Sequence, residues 1–176
     1  MTFAPKTWVV GETVSAALLN SEIRDQFNSI FDAWTPYTPA WIAEIGSAPS
    51  LGNGTLVGDY LKVGRRVDFR VLLTWGSTTT GGGPNANWNI GLPAVPATAA
   101  GWKVAHRGIH LIAAKSGGTN YVGSASLSAT NGGVCRSFRD SFNLNTNAWD
   151  GDTNSPFTAW AAGDTLHISG TYESAT

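Results

Sequence analysis

Charged residues are scarce in this sequence, and positive charge is nowhere concentrated. Asp, Glu, Lys and Arg make up 13% of the 176 residues, against a usual share of about 25%. Lys and Arg number 11 and Asp and Glu 12, which leaves a net charge of −1. Binding to nucleic acid and attachment to a membrane through a polybasic segment both need clustered positive charge. We therefore expect neither kind of partner.

Cysteine and long apolar runs are also lacking. Cys135 is the only cysteine, which excludes an internal disulfide and a cysteine-based zinc site. No apolar run approaches the ~20 residues of a membrane-spanning helix. Met1 to Gly11 lacks the basic segment and the apolar stretch that together mark a secretory signal. These absences predict a protein that is made in the cytoplasm of a cell and does not insert into a membrane.

Glycine and tryptophan are abundant instead. The chain has 21 Gly and 8 Trp, and 42% of its residues are hydrophobic. That apolar content is ordinary for a folded protein, and the length suits one sizeable core plus an appendage. Sparse charge favours strands joined by tight turns, because long surface helices are usually built with Glu and Lys.

Residues 1–36 contain the one helical pattern. Glu12 and Thr13 offer an acidic residue and a capping oxygen at its start, and Thr35-Pro36 ends it because proline disfavours helix in the residue before it. Positions spaced by three and four residues form the seam of a short coiled coil, namely Ala16, Asn20, Ile23, Phe27, Ile30 and Trp34.

This apolar face predicts self-association. Leu19 and Phe31 widen it beyond a two-stranded seam, which favours a homotrimer. A helix of about 20 residues with few charged pairs is marginal alone in water. The alternative is that the face packs on the chain's own β domain, residues 37–176. We prefer self-association because Pro36 and Pro39 set the helix apart from that domain.

After Pro39 the apolar period changes to two. Val67, Phe69 and Val71 alternate with charged residues in the cleanest half-buried strand. A change of phase near Arg107-Gly108 predicts a β-bulge. The predicted strands cover residues 55–63, 67–75, 88–92, 102–111, 121–127, 134–142 and 166–172. This spacing of short strands and turns predicts a mainly β fold, a jelly-roll-like β-sandwich preceded by the oligomerising helix.

Catalytic patterns are missing. His106, His110 and His167 could each serve as a base, but no G-x-S-x-G elbow supplies a nucleophile. His167 alternates with apolar neighbours and is expected to point away from their face. A glycosidase needs two converging carboxylates, and the candidates Asp140, Asp150, Asp152 and Asp164 lie mostly in turn contexts, where Asp accepts backbone hydrogen bonds. We expect no enzymatic activity and no cofactor.

One segment resembles the start of a calcium loop. Asp150, Asp152 and Asn154 have the D-x-D-x-N spacing, but Ser155 and Ala161 stand where an EF-hand has Gly and Glu. A polar turn explains these residues better, although a calcium site of another type stays open. We predict no metal site.

The tryptophans allow two interpretations. Trp75, Trp102 and Trp160 are expected to fill the core or a subunit interface, since each buries a large apolar area. Trp88 and Trp149 lie beside loops rich in short polar residues, a setting in which aromatic rings stack on sugars. They are therefore candidate glycan-binding residues. The alternative, which we prefer, is that these two rings close the ends of the sandwich or contact a neighbouring subunit.

Several segments resemble tail-associated proteins of siphophages that infect actinobacteria. The first carries Trp8, Gly11, Glu12, Val14, Ala16-Ala17, Leu19-Asn20 and Ile23-Arg24-Asp25; the next carries Trp41, Pro49, Leu51-Gly52-Asn53-Gly54-Thr55, Gly58, Tyr60 and Val63-Gly64; the last carries Gly163-Asp164, Leu166 and Ile168 to Glu173. The likeness touches both ends of the chain and most of what lies between.

The resemblance implies a place on a virus particle and no chemistry. The expectation is a non-enzymatic bacteriophage virion protein, at the tail tip, on a fibre or decorating the capsid. Its partners would be itself, as a homotrimer, and other virion proteins. The alternative is a receptor-binding module that recognises host cell-wall glycan, with specificity in the loops at residues 77–84 and 143–156.

Overall fold

The computed structural model describes residues 6–28, 30–31, 33–43, 46–82, 88–97, 109–128, 134–139 and 159–175. They form a mainly antiparallel β fold preceded by one short helix, which confirms the mainly β class. The strands are β1 (Thr35–Tyr37), β2 (Trp41–Ala43), β3 (Thr55–Val63), β4 (Arg66–Thr74), β5 (Trp88–Gly91), β6 (Ile109–Ala114), β7 (Asn120–Ser128), β8 (Val134–Arg139) and β9 (Thr165–Glu173). They lie in a single sheet, in the order β1-β3-β4-β9-β6-β7-β8-β5-β2.

The hairpin of β3 and β4 and the strand β9 beside it form the regular half of the sheet. Gly64 has a φ of 59° in the tight turn between β3 and β4, a conformation that glycine adopts without steric cost. Val71 pairs with Gly58 on one side and with Ile168 on the other. Alternate residues of β4 are buried, as the period of two predicted, and the predicted bounds of these strands are confirmed to within one residue.

The sheet rolls up until its two edges meet. β1 and β2 lie at opposite edges, and a flat sheet of this width would separate them by about 38 Å at about 4.8 Å per strand. The chain from Tyr37 to Trp41 can span only about 14 Å, so the edges must approach each other. The Gly91 amide donates to the Ala40 carbonyl at 2.8 Å, and the Tyr37 hydroxyl donates to the Gly91 carbonyl at 3.3 Å.

One hydrophobic core fills the roll. Its buried members come from both halves of the sheet: Leu56, Val67, Phe69, Val71, Leu73, Trp75, Trp88, Ile90, Ile109, Leu111, Ala113, Ala125, Leu127, Leu166, Ile168 and Tyr172. The residues that alternate with them on β3, β4, β6, β7 and β9 form the outer face of the sheet. The inner face therefore supplies the apolar burial that stabilises the fold.

The helix is shorter than the sequence predicted. It is α-helical at Ala16–Leu19 and Asp25–Asn28, with a wider π-helical turn at Asn20–Arg24 between them. We call these 13 residues the N-terminal helix. Its cap is Ser15, whose hydroxyl accepts from the Leu18 amide at 3.1 Å.

The expected helix ends were wrong. Glu12 is not in the cap; it pairs with Lys6, whose hydrogen bond outweighs desolvation and lowers the pKa of the Glu12 carboxyl. After Asn28 the chain tightens, with the Ile30 amide donating to the Phe27 carbonyl at 3.1 Å. Thr35 then pairs with Tyr60 in the sheet. β1 therefore begins at the residue where the helix was predicted to end, and the α-helical pattern stops at Asn28.

The other predicted strands are confirmed where the structure describes them, with β5, β7 and β9 close to their expected bounds, whereas β6 continues three residues beyond the predicted end at Leu111. The predicted bulge at Arg107-Gly108 lies outside the described residues, as do Trp102 and the predicted end of β8 beyond Arg139. The short edge strands β1 and β2 were not predicted. Each has three residues, too few for a periodic pattern to show.

Candidate functional site

The N-terminal helix presents apolar side chains to solvent. None of its residues is buried, and the Phe27 side chain is 62% exposed. The other exposed large hydrophobic residues of the N-terminal region are Trp8, Val9, Val10, Val14, Leu19, Ile23, Ile30, Phe31 and Trp34. So many exposed apolar side chains make this segment a candidate contact surface.

The structure brings together only part of the predicted seam. Ile23 and Phe27, four residues apart, lie on the N-terminal helix. Asn20 begins the π-helical turn, whose larger number of residues per turn interrupts the regular repeat that a long coiled coil requires. Ile30 lies in the tight turn after the helix. A contact surface on this segment would therefore be short and would be centred on Ile23, Phe27 and Ile30.

Trp34, the last residue of the predicted seam, is not part of the helix and lies on the outer face of the sheet. The guanidinium of Arg70, on β4, stands 4.6 Å from the centre of the Trp34 ring. Arg70 also donates to the carboxylate of Asp59 at 3.1 Å; Asp59 is the residue of β3 that pairs with Arg70. A cation held over an aromatic face is attractive by about 0.5–1 kcal/mol at an exposed site. This contact fixes the point at which the N-terminal segment joins the outer face.

The outer face also carries a row of side chains that the sequence pattern did not reveal. Strand pairing places them side by side across five strands, and we call them the outer row: Val57 on β3, Leu72 on β4, His167 on β9, Ile112 on β6 and Val122 on β7. All but His167 are apolar, and Val57 and Val122 are 54% and 61% exposed. The alternation of buried and exposed residues along each strand indicates that each faces outward. Only the pairing register between strands shows that they are neighbours.

Trp88, one of the two candidate glycan-binding residues, is buried. Its relative exposure is 0%, and its indole N–H donates to the Gly81 carbonyl at 2.7 Å. Gly81, in the loop that suggested an exposed ring, instead binds the polar edge of this indole. The ring therefore offers no face to a sugar, and the glycan-binding prediction for Trp88 is wrong in this structure. Trp149 lies outside the described residues.

Trp88 belongs to a cluster of tryptophans inside the roll. Trp75 stacks on Trp160 with ring centres 5.0 Å apart, and Trp41 meets Trp88 edge-on at 5.2 Å. Trp75 is buried, and Trp160 packs against the core, as predicted for both. Contacts of this kind contribute about 0.5–1.5 kcal/mol each beyond the burial of area.

The described histidines do not form a hydrolytic arrangement. His110 and His167 are both exposed on the outer face, which confirms the predicted orientation of His167. His110 lies directly across from Ser124 and Ser169, yet no hydrogen bond joins it to either of these described serines. His106 lies outside the described residues. Among the residues that are described, no group of His, Cys, Asp or Glu could hold a metal ion.

Asp164 has the turn role that was predicted for it. Its side chain is fully buried and accepts from the backbone amides of Ser116 at 2.9 Å and Ala161 at 2.8 Å. It therefore joins the turn before β9 to the turn after β6. The other acidic candidates, Asp140, Asp150 and Asp152, lie outside the described residues together with Asn154.

Asn89, on β5, is a buried polar residue whose side-chain amide lacks hydrogen bonds within the described part of the chain. Its relative exposure is 0%, and within the described part of the chain neither the oxygen nor the nitrogen of its side-chain amide has a hydrogen-bond partner. An unpaired buried amide costs free energy. Sequence pattern could not indicate this burial, because Asn in a strand between apolar residues is usually interpreted as surface-facing.

No protein family, curated protein or solved structure matches the chain. Over the residues that the structure describes, no helix has the length and apolar character to cross a bilayer.

Proposed function

We propose that this chain is a non-enzymatic structural component of a bacteriophage particle, and that its N-terminal segment joins copies of it into a homotrimer. It would complete a tail tip or fibre, or decorate the capsid, with other virion proteins as its further partners. One observation carries the proposal: an exposed apolar N-terminal helix precedes a β head whose described strands form a hydrophobic core without the helix.

The physical argument concerns what stabilises the helix. An isolated helix of fewer than about 12–15 residues is marginal in water, since few hydrogen bonds offset the cost of nucleation. No residue of the N-terminal helix is fully buried, so packing within its own chain leaves most of its apolar face exposed. Association with other copies would bury Ile23, Phe27 and Ile30 and supply the missing stabilisation.

The phage assignment rests on the resemblance of residues 8–25 and of the last strand to siphophage tail-associated proteins. We further propose that the rolled sheet is of the jelly-roll-like sandwich type, because its two halves pack their inner faces together through Trp41, Trp75 and Trp88. For binding of host cell-wall glycan, the described residues offer no support, since Trp88 is enclosed.

The test of self-association compares two neighbouring residues of the full-length chain. Phe27→Asp places a charge in the proposed contact, whereas the control Asn28→Asp places the same charge on an exposed polar residue beside it. Burial of a phenylalanine contributes about 2–3 kcal/mol. Phe27→Asp should therefore raise the dissociation constant of the assembly at least about thirtyfold, and Asn28→Asp should leave it unchanged.

Light scattering measures the outcome as mass. The wild-type chain and Asn28→Asp are expected at the mass of three 18.5 kDa chains, and Phe27→Asp at that of one. A monomeric wild type, or an assembly that Phe27→Asp leaves intact, would refute the proposal. The phage part is tested separately: density for this chain should be present in a reconstruction of the particle whose genome encodes it.

A further inference from the structure

We infer that the outer row is an interface between copies of this chain, through which the β heads pack around the axis set by their N-terminal helices. The inference rests on the proposed self-association and extends it from the helix to the head. It commits the row to one occupant, a second copy of the chain. Three features support it: the size of the row, its position relative to Trp34 and the balance of charge around it.

The row is wide and apolar enough for a protein contact. It crosses four strand spacings, or about 19 Å at about 4.8 Å each. At one end, a depression of about 260 Å³ opens beside Val57, Leu72 and His167. A side chain from a facing surface could fill it. Four apolar side chains in one row on the solvent side of a sheet, two on each side of His167, are uncommon in a monomer and typically mark an interaction site.

Trp34 places the row on the side of the sheet to which the helix is tied. The Trp34 ring lies against Arg70 on the outer face. Arg70 is two residues from Leu72 on the same strand, a separation of about 7 Å. The chain therefore passes from the helix onto the head beside the outer row. In the proposed assembly the helices associate on this side of the sheet, so that the outer rows of the copies face one another.

The surroundings of the row carry no unbalanced charge. On one side stand Thr55, Thr74 and Thr165, which pair across three strands. On the other side Asp59 and Arg70 neutralise each other at 3.1 Å. Identical copies carry identical charges, so a surface that meets another copy must be free of a net charge of either sign. A strongly charged partner would find no complementary group here.

The experiment introduces one charge within the row and one beside it. Val122→Asp and Ile112→Asp are separate variants of the full-length chain, each at an exposed position on the outer face. The control is Ser124→Asp, on the same strand and face as Val122 but outside the row. Thermal unfolding of each variant shows that the head is folded. Sedimentation across a dilution series gives the dissociation constant of the assembly.

We expect each row variant to raise the dissociation constant at least about tenfold, since a charge buried against apolar groups costs more than about 1.4 kcal/mol. Ser124→Asp should leave the dissociation constant unchanged. Row variants that assemble as tightly as the control would overturn the inference, while dissociation by Phe27→Asp would leave the proposed function standing. Row variants that assemble normally but no longer attach to the particle would also overturn the inference, and they would indicate that the row contacts another virion protein. A monomeric wild type would refute both.

Discussion

The hydroxyl of Tyr172 ties β9 to the segment that comes after β5, and its removal tests how the roll is held closed. Tyr172 is 2% exposed and packs edge-on against Phe69, with ring centres 5.6 Å apart. Its hydroxyl donates to the Ala94 carbonyl at 2.7 Å and accepts from the Ala94 amide at 3.0 Å. Both groups of one peptide residue therefore depend on a single oxygen atom.

Tyr172→Phe removes that oxygen and leaves the ring in place. Loss of the donated hydrogen bond costs about 1 kcal/mol, and an unpaired backbone amide costs about 1–3 kcal/mol. Ala94 is only partly buried, so the lower part of that range applies and no cavity term is added. We expect the free energy of unfolding to fall by about 2 kcal/mol, which for a chain of this length lowers Tm by about 4–8 °C.

The same hydroxyl predicts a dependence on alkaline pH. Burial raises the pKa of Tyr172 from 10.0 to about 12, although the hydrogen bond with Ala94 acts to lower it. A group whose pKa is higher in the folded state stabilises the fold below its unfolded pKa and loses that contribution as pH rises through the folded pKa. Wild-type stability should therefore fall between pH 10 and about 12, and the difference from Tyr172→Phe should narrow there.

Thermal unfolding followed by tryptophan fluorescence measures both effects. The control is Tyr121→Phe, which removes a hydroxyl from a tyrosine on β7 that is 36% exposed and should lower Tm less than Tyr172→Phe does. Equal midpoints for Tyr172→Phe and the wild type at pH 7 would show that the Ala94 hydrogen bonds contribute nothing. A gap between them that stays constant to pH 12 would refute the argument from the raised pKa.

Substitutions at two further residues test buried polar groups, with the free energy of unfolding measured by chemical denaturation. Asn89→Leu should raise the free energy of unfolding by about 1–3 kcal/mol, because it replaces an unpaired buried amide with an apolar group of similar size; a loss of stability would show that the amide has a partner. Asp164→Ala should lower it by about 2–4 kcal/mol, because the amides of Ser116 and Ala161 lose their acceptor. Asp164→Asn keeps one acceptor oxygen and should lose less, and equal losses in the two variants would contradict the role of these bonds.

The strands could be predicted because their pattern is local. Half-buried strands alternate, so residues 66–74 and 165–173 show their inner face in the sequence itself. β1 and β2 could not be predicted in this way. They exist because the sheet rolls until its edges meet over residues 38–40, and that closure depends on pairing between distant parts of the chain.

The candidate site was predictable only in part for a related reason. The exposed apolar residues Ile23, Phe27 and Ile30 could be predicted from helical spacing, since a short amphipathic helix cannot bury its face within itself. Trp34 shares that spacing but lies on Arg70, a contact between residues far apart in sequence. The enclosure of Trp88 by the loop at Gly81 likewise depends on how the loop folds, which its polar composition did not reveal.

Sparse charge, the first feature of the sequence, has a structural counterpart on the outer face. Proteins that stay apart in solution usually carry a clear net charge and no large apolar surface. This chain has a net charge of −1, and its outward-facing charges on β3 and β4 are largely paired with each other, as Arg70 is with Asp59 and Arg66 with Asp68. Little repulsion therefore opposes contact between copies, while the N-terminal helix and the outer row both gain from it. Composition and structure lead to the same expectation: this chain acts as part of an assembly.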